Sequence, residues 1–226
     1  MKAKEQPLIS FVMPVYGDGD TVEAAVDSII DQDYSNIEVI LSVDGCKDSA
    51  KAVRKVVKKY KGHDKRVDAL YSKENRGACV ARNEGAKIAK GEYLSFLPAD
   101  ARLFPGVARI WMGTFEKNPD YDFVYGGYRF LDQIVLAKDL KKLAKEAEMT
   151  VDEYVAHAGY KKREDGEYDG AKGFDYLSEP FDPYFLYQHN FIDGSFPLTR
   201  EMFDKIGGWD STIKSLQDWD FWIAVV

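Results

Sequence analysis

The sequence predicts an α/β fold: a mostly parallel sheet with helices on both faces. Three observations carry that expectation. Strand-like and helix-like runs alternate through the first half of the chain. Each run ends in turn chemistry, with Gly, Pro or Asp at the junctions. The chain has 226 residues, 45% of them apolar and 14% aromatic, enough for one large core without disulfide staples.

The elements follow in order. LISFVMPVY (8–16) is an apolar strand. DTVEAAVDSIIDQ (20–32) places Val22, Ala25, Val26, Ile29 and Ile30 on one helical face, with Asp20 as the expected N-cap. IEVILSV (37–43) reads as a buried strand. Asp48 is expected to cap a helix whose Val53, Val56, Val57 and Tyr60 share a face. VDALYS (67–72) is a third strand, GACVARNEGAKIAKG (77–91) a helix closed by glycine, and EYLSFL (92–97) a fourth strand. PGVARIWMGTFEKN (105–118) starts a helix on proline, and YDFVYGGYRFL (121–131) is a fifth strand. The β-α-β-α order implies parallel strands, and ligands in such sheets bind beyond the carboxyl ends of the strands. PVYGDGD, VDGCKD and PADA should therefore gather at one rim.

The second half is less regular. Residues 136–164 are charged and helix-prone, with Thr150 and Glu153 at capping-box spacing; interspersed Lys and Glu suit a solvated helical insertion. Residues 164–185, rich in Gly, Asp, Pro and aromatics, read as a long ordered loop. The division expected is one domain over 1–226: a ligand-binding half at 7–130, an insertion at 131–189, and an acceptor-side half at 190–226. DWDFWIAVV stops inside an apolar helical pattern with no cap, so more chain is expected beyond Val226.

A net charge of −7 argues against nucleic acid or an anionic membrane surface as the main partner. Cys46 and Cys79 are too few and too far apart for a disulfide framework or a zinc site, and read as reduced thiols. No signal-peptide pattern opens the chain, and no apolar stretch reaches the ~20 residues that cross a bilayer. The expected location is the cytoplasm, with peripheral membrane attachment compatible. There is no G-x-G-x-x-G after the first strand, no phosphate-loop G-x-x-x-x-G-K-[ST] and no G-x-S-x-G elbow. Three histidines leave little material for histidine-based metal or triad chemistry.

Three spaced pieces remain: FVMPVYGDGDTVEAAVDSIIDQDYSNIEVILSVDGCKD, NRGACVARNEGAKIAKGEYLSFLPAD and GGWDSTIKSLQDWDFWI. In this order they resemble the family 2 inverting glycosyltransferases of the Rossmann-like GT-A fold, over roughly 7–130 and 190–223. Residues 131–189 carry no such signal. The resemblance implies a sugar-nucleotide donor, with UDP favoured, and a glycan, lipid-linked or protein acceptor. Such chemistry needs charge stabilisation for the departing diphosphate, a base for the acceptor hydroxyl, and in-line positioning.

Carried onto this chain, the resemblance gives Pro14, Val15 and Tyr16 to the base. Asp44 reads its imide N–H; an Asp before Gly45 is also an ordinary turn former. Asn75 and Gly77 let backbone approach the diphosphate, and Arg82 and Asn83 brace the site; both could equally be polar groups on a helix surface. Where the family has Leu-Asp-Ala-Asp-Asp, this chain reads Leu97-Pro98-Ala99-Asp100-Ala101. Ala99 would lie against the donor and Asp100 would bind Mn²⁺ or Mg²⁺, which need only one or two protein carboxylates. The competing reading of Asp100 is a turn in a degenerate site. Asp218, in Gln217-Asp218-Trp219-Asp220, matches the catalytic base, although a helix start also favours an acid there. Asp193, Gly194 and Trp209 fall on the acceptor side; Trp209 also suits a core position. The function implied is inverting, metal-assisted sugar transfer. The alternative is a non-catalytic sugar-nucleotide or glycan-binding module, suggested by Pro98, Ala101 and Gln217. A nucleotidyltransferase is disfavoured because PVYGDGD is acidic.

Overall fold

The computed structural model describes residues 6–62, 64–126, 128–129, 145, 150–152, 161–162, 168–169, 175–176, 186 and 195–226. Two compact units are distinguished: Met1–Tyr125 with Pro180–Val226, and Gly126–Glu179.

The first unit holds β1 (Ile9–Val15), α1 (Val22–Ile30), β2 (Ile37–Asp44), α2 (Lys47–Lys61), β3 (Val67–Ser72), α3 (Ala78–Ile88), β4 (Tyr93–Ser95) and α4 (Val107–Lys117). In the second unit β5 (Tyr128–Arg129) pairs antiparallel with β8 (Asp175–Tyr176), and β6 (Lys161–Lys162) with β7 (Tyr168–Asp169). The first unit resumes with β9 (Leu198–Thr199), α5 (Arg200–Ile206) and α6 (Gln217–Val225). The main sheet has the order β3-β2-β1-β4-β9, parallel except for β9 at the edge.

Alternation along the strands assigns the faces. Phe11 meets Trp111 of α4 with centroids 6.3 Å apart, and Tyr93 of β4 meets Phe115 on the same side. The neighbouring Val12 faces α3 instead: a Cβ on Gly85 would lie 2.4 Å from Val12 Cγ1. Glycine there sets the close approach of α3 to the sheet. Below α3, Phe96 packs on Phe203 of α5 and edge-on to Trp209 and Phe221 of α6, all of them buried. The sheet is thus covered on both sides, as expected.

Several boundaries differ from the sequence reading. The N-cap of α1 is Thr21 rather than Asp20, and α2 starts after Cys46 with Asp48 inside its first turn. α3 ends at Ala89 rather than on a glycine. Arg200 supplies the missing cap: its guanidinium donates to the carbonyls of Gly91 (2.8 Å), Ala89 (2.9 Å) and Ala86 (3.3 Å). A cation at this end also opposes the helix dipole. α4 begins after Gly106 (φ 82°), two residues past Pro105. Among the described residues, the expected strand over 121–131 is a bridge, Phe123 to Leu198, and the two residues of β5. β9, in a stretch read only as apolar, was not expected, and neither were the two-residue strands β6, β7 and β8 within the expected insertion and loop. The tie of β9 to the segment around Phe123 comes from distant backbone pairs, Thr199 N–H to Asp122 O at 2.7 Å and Val124 N–H to Pro197 O at 3.1 Å. Most of the helix and loop expected at 136–185, Glu153 included, lies outside the described residues.

Candidate active site

The carboxyl ends of β1, β2 and β4 converge on one rim, and the expected donor residues stand there. Pro14 and Val15 close β1, Val15 fully buried, and Tyr16 follows with its side chain exposed. Gly17 (φ 87°) donates its N–H to Ser49 Oγ at 2.8 Å, tying the loop after β1 to the first turn of α2. Ser49 is fully buried and was not foreseen; a single serine just after VDGCKD gives no signal of its own in sequence. Hydrogen bonding from the Ser49 side chain, then from its backbone, also holds the Cys46 thiol below the ordinary thiol range. Both cysteines are free, as expected of reduced thiols.

Asp44 ends β2 and is buried, and each of its oxygens accepts a backbone N–H. Its Oδ1 accepts from the Arg76 N–H at 2.8 Å and its Oδ2 from the Gly77 N–H at 2.7 Å. The carboxylate therefore holds the N-R-G turn, with Asn75 Oδ1 accepting from the same Gly77 N–H at 3.0 Å. Gly45 (φ 75°) makes this possible: a Cβ there would lie 2.3 Å from Asn75 N and 2.4 Å from the Glu74 carbonyl carbon. Backbone cannot yield to such a contact, so glycine is required at this crossing. Gly77 (φ 94°) then opens α3.

After β4 the pattern inverts. Ala99 is buried at 1% exposure, while Asp100 is exposed in a turn closed by Ala101 N–H to Pro98 O at 3.1 Å. Among the described residues no group of three His, Cys, Asp or Glu could hold a metal. The donor set fits only a hard cation that takes its remaining ligands from diphosphate and water, as Mg²⁺ and Mn²⁺ do.

Arg82 and Asn83 turn away from this rim towards the end of the chain. Asn83 Oδ1 accepts from the Trp209 N–H at 2.9 Å, and Asn83 Nδ2 donates to the Trp209 carbonyl at 2.8 Å. The Arg82 guanidinium lies 4.2 Å over the Trp209 ring, and Phe221 stacks on that ring at 4.0 Å. Trp209, 2% exposed, is thus a packed core residue, the second of the two readings its sequence position allowed, with Arg82 and Phe221 against its ring. Asp218 stands in the first turn of α6, partly buried. Asp193 and Gly194 lie outside the described residues. A separate cavity of about 410 Å³, lined in part by Pro7, Tyr34, Tyr93, Arg109 and Phe115, opens at the amino ends of the strands and contains none of these residues.

With this geometry in place the chain can be set beside known proteins. Residues 10–152 match the model of glycosyl transferase family 2. A glycosyltransferase of Rickettsia typhi, itself uncharacterised, is 29% identical over 96% of this chain and 58% of its own length. The putative teichuronic acid biosynthesis glycosyltransferase TuaG of Bacillus subtilis is 38% identical over 42% of this chain and 36% of its own. The chain spans little more than half the length of the first of these relatives. In fold it is similar to S. aureus TarS 1-349 solved with UDP (TM-score 0.64, 14% identity, 95% of this chain and 53% of that one). It is likewise similar to the mannosyltransferase PcManGT of Pyrobaculum calidifontis solved with GDP-Man and Mn²⁺ (TM-score 0.56, 17% identity, 95% and 50%). The sheet order, the helices on both faces and these likenesses are those of the GT-A fold, and the chain belongs to glycosyl transferase family 2.

Proposed function

We propose that the chain transfers a sugar from a nucleotide-sugar, a UDP-sugar first among them, to an acceptor hydroxyl with inversion. One observation carries the reading: the loops after β1, β2 and β4 meet at a single rim, where a buried aspartate already shapes the N-R-G turn for backbone approach to a diphosphate. Pro14, Val15 and Tyr16 receive the base, and Asn75 and Gly77 the diphosphate. Asp218 takes the proton of the acceptor hydroxyl, a task that suits a carboxylate at a helix start. Asp100 is the protein's oxygen ligand for Mn²⁺ or Mg²⁺, which supplies charge to offset the leaving diphosphate.

The UDP in the TarS structure and the Mn²⁺ in that of PcManGT support the donor and the metal. The name of the Bacillus relative supports a glycan among the glycan, lipid-linked and protein acceptors. The reading includes a cytoplasmic location, peripheral at a membrane where the acceptor is lipid-linked; no helix among the described residues is long and apolar enough to cross one.

The test is calorimetry of UDP binding with and without Mn²⁺, on wild type and Asp100→Ala. Binding that needs both metal and Asp100 supports the reading. Equal binding without either leaves Pro98-Ala99-Asp100 as a turn. It would favour a metal-independent or non-catalytic module, the reading that Pro98, Ala101 and Gln217 suggest.

A further inference from the structure

Arg82 and Asn83 match a motif expected to serve the donor, yet both make contact with Trp209. A paired bond from one amide to both polar groups of Trp209 fixes that residue's backbone in position and orientation. The residue before it makes the approach possible. Gly208 has φ 81°, and a Cβ there would stand 2.8 Å from Asn83 Oδ1.

The indole held this way is the platform on which α6 rests. Phe221 lies 4.0 Å above it with the rings 9° from parallel. Phe221 is three residues after Asp218, so it belongs to the same helical turn and its neighbourhood. The turn carrying Asp218 also needs outside support. Leu216, just ahead of it, has φ 56°, the one non-glycine residue with positive φ among the described residues, and its side chain is exposed. A bulky residue in that conformation persists where surrounding structure imposes it.

We infer that Asn83, with Arg82, is a positioning residue for Asp218 and not a ligand of the nucleotide. The path runs from α3 through Trp209 to Phe221 and so to the first turn of α6. The inference rests on the transferase reading for its catalytic consequence, but its structural part stands alone.

The test is Asn83→Asp, which keeps the size and the acceptor and sets a carboxylate oxygen against the Trp209 carbonyl. Three readouts are taken on the full chain: UDP affinity with Mn²⁺, kcat and KM for UDP-sugar turnover, and hydrogen exchange of the α6 amides. UDP affinity should stay within about twofold of wild type. Turnover should fall about 100-fold in kcat, with KM little changed, as expected when a reacting group is misplaced by an ångström. Protection should drop at 217–225 and persist in β1 and β2. Phe221→Leu, which breaks the same path from its far end, should reproduce the pattern and serves if Asn83→Asp does not fold. Loss of UDP affinity with kcat preserved would overturn the inference, because Asn83 would then act on the donor. Unchanged α6 exchange in both variants would overturn it as well. A wild type that binds no nucleoside diphosphate would defeat the transferase reading instead, and the exchange data would still decide whether the clamp exists.

Discussion

Two aspartates end parallel strands at the same rim, and their surroundings are opposite. Asp44, after β2, is 4% exposed and accepts two backbone N–H bonds. Asp100, after β4, is exposed in a two-residue turn. The buried one is committed to holding the protein's own loop in shape. The exposed one stands open to solvent. In sequence both read as a lone acid next to a small residue. The difference shows that an aspartate beyond a strand end can be spent on the protein's own backbone or left open to solvent.

The largest effect tests a third aspartate against this pair. Asp218→Asn should lower transfer to a confirmed acceptor by about 10²–10⁴-fold, the usual worth of a positioned base. Donor affinity should be unchanged. Wild-type transfer by this variant would remove Asp218 from the chemistry and leave the other two aspartates serving a binding module.

Next comes Asp44. Asp44→Ala removes two hydrogen bonds to a charged acceptor, takes the acceptor from the Arg76 amide and leaves the Gly77 amide to Asn75 Oδ1, so unfolding should cost about 3 kcal/mol less. Thermal or denaturant unfolding measures this. Affinity should fall alike for UDP, GDP and inorganic pyrophosphate, because the N-R-G turn serves the diphosphate. Loss confined to UDP would show that the second lone pairs of Asp44 read the base, and the comparison would lose one side. Asp100→Ala should do the reverse. Its stability should stay within about 0.5 kcal/mol of wild type, as for other exposed positions. Metal-dependent UDP affinity should fall by about tenfold or more, equal to about 1.4 kcal/mol.

How much of this was legible in the sequence follows from what each signal depends on. The strands β1 to β3 are apolar runs bounded by turn residues, and their limits matched to within a residue or two. The rim itself followed from strand order. Caps were read less well, because they depend on distant partners: α3 is closed by Arg200, more than a hundred residues away in sequence, and not by Gly91. β9 escaped because two residues have no period to detect; its pairing with Tyr93 and Leu94 of β4, and the tie of Asp122 to Thr199, define it. Asp44 does end β2, but nothing local says that its oxygens face Arg76 and Gly77. Likewise the spacing of Arg82-Asn83 gave no hint of Trp209. Side-chain partners across the sheet are products of packing, whereas strand ends are products of the local pattern.

The smallest effect concerns the rim loop that has no strand-end acid of its own. The loop after β1 is held through Ser49, whose Oγ accepts from Gly17. Ser49→Ala replaces that hydroxyl by a methyl in a fully buried place and leaves the Gly17 N–H without its acceptor. The cost should be about 1 kcal/mol in stability, the ordinary worth of one neutral hydrogen bond. UDP affinity should fall a few-fold as Tyr16 loses its anchored neighbour. The same change has a chemical reporter. Ser49 is the first cause of the lowered Cys46 thiol pKa. Its removal should raise that pKa, leave less thiolate at pH 7–8, and slow alkylation of Cys46 by iodoacetamide in that range, while rates converge at high pH where both thiols are ionised. An unchanged rate across the range would mean that the Cys46 environment is set by the helix start alone. Ser49 would then hold only the loop, and the rim after β1 would depend on its neighbours less than the rim after β2 does.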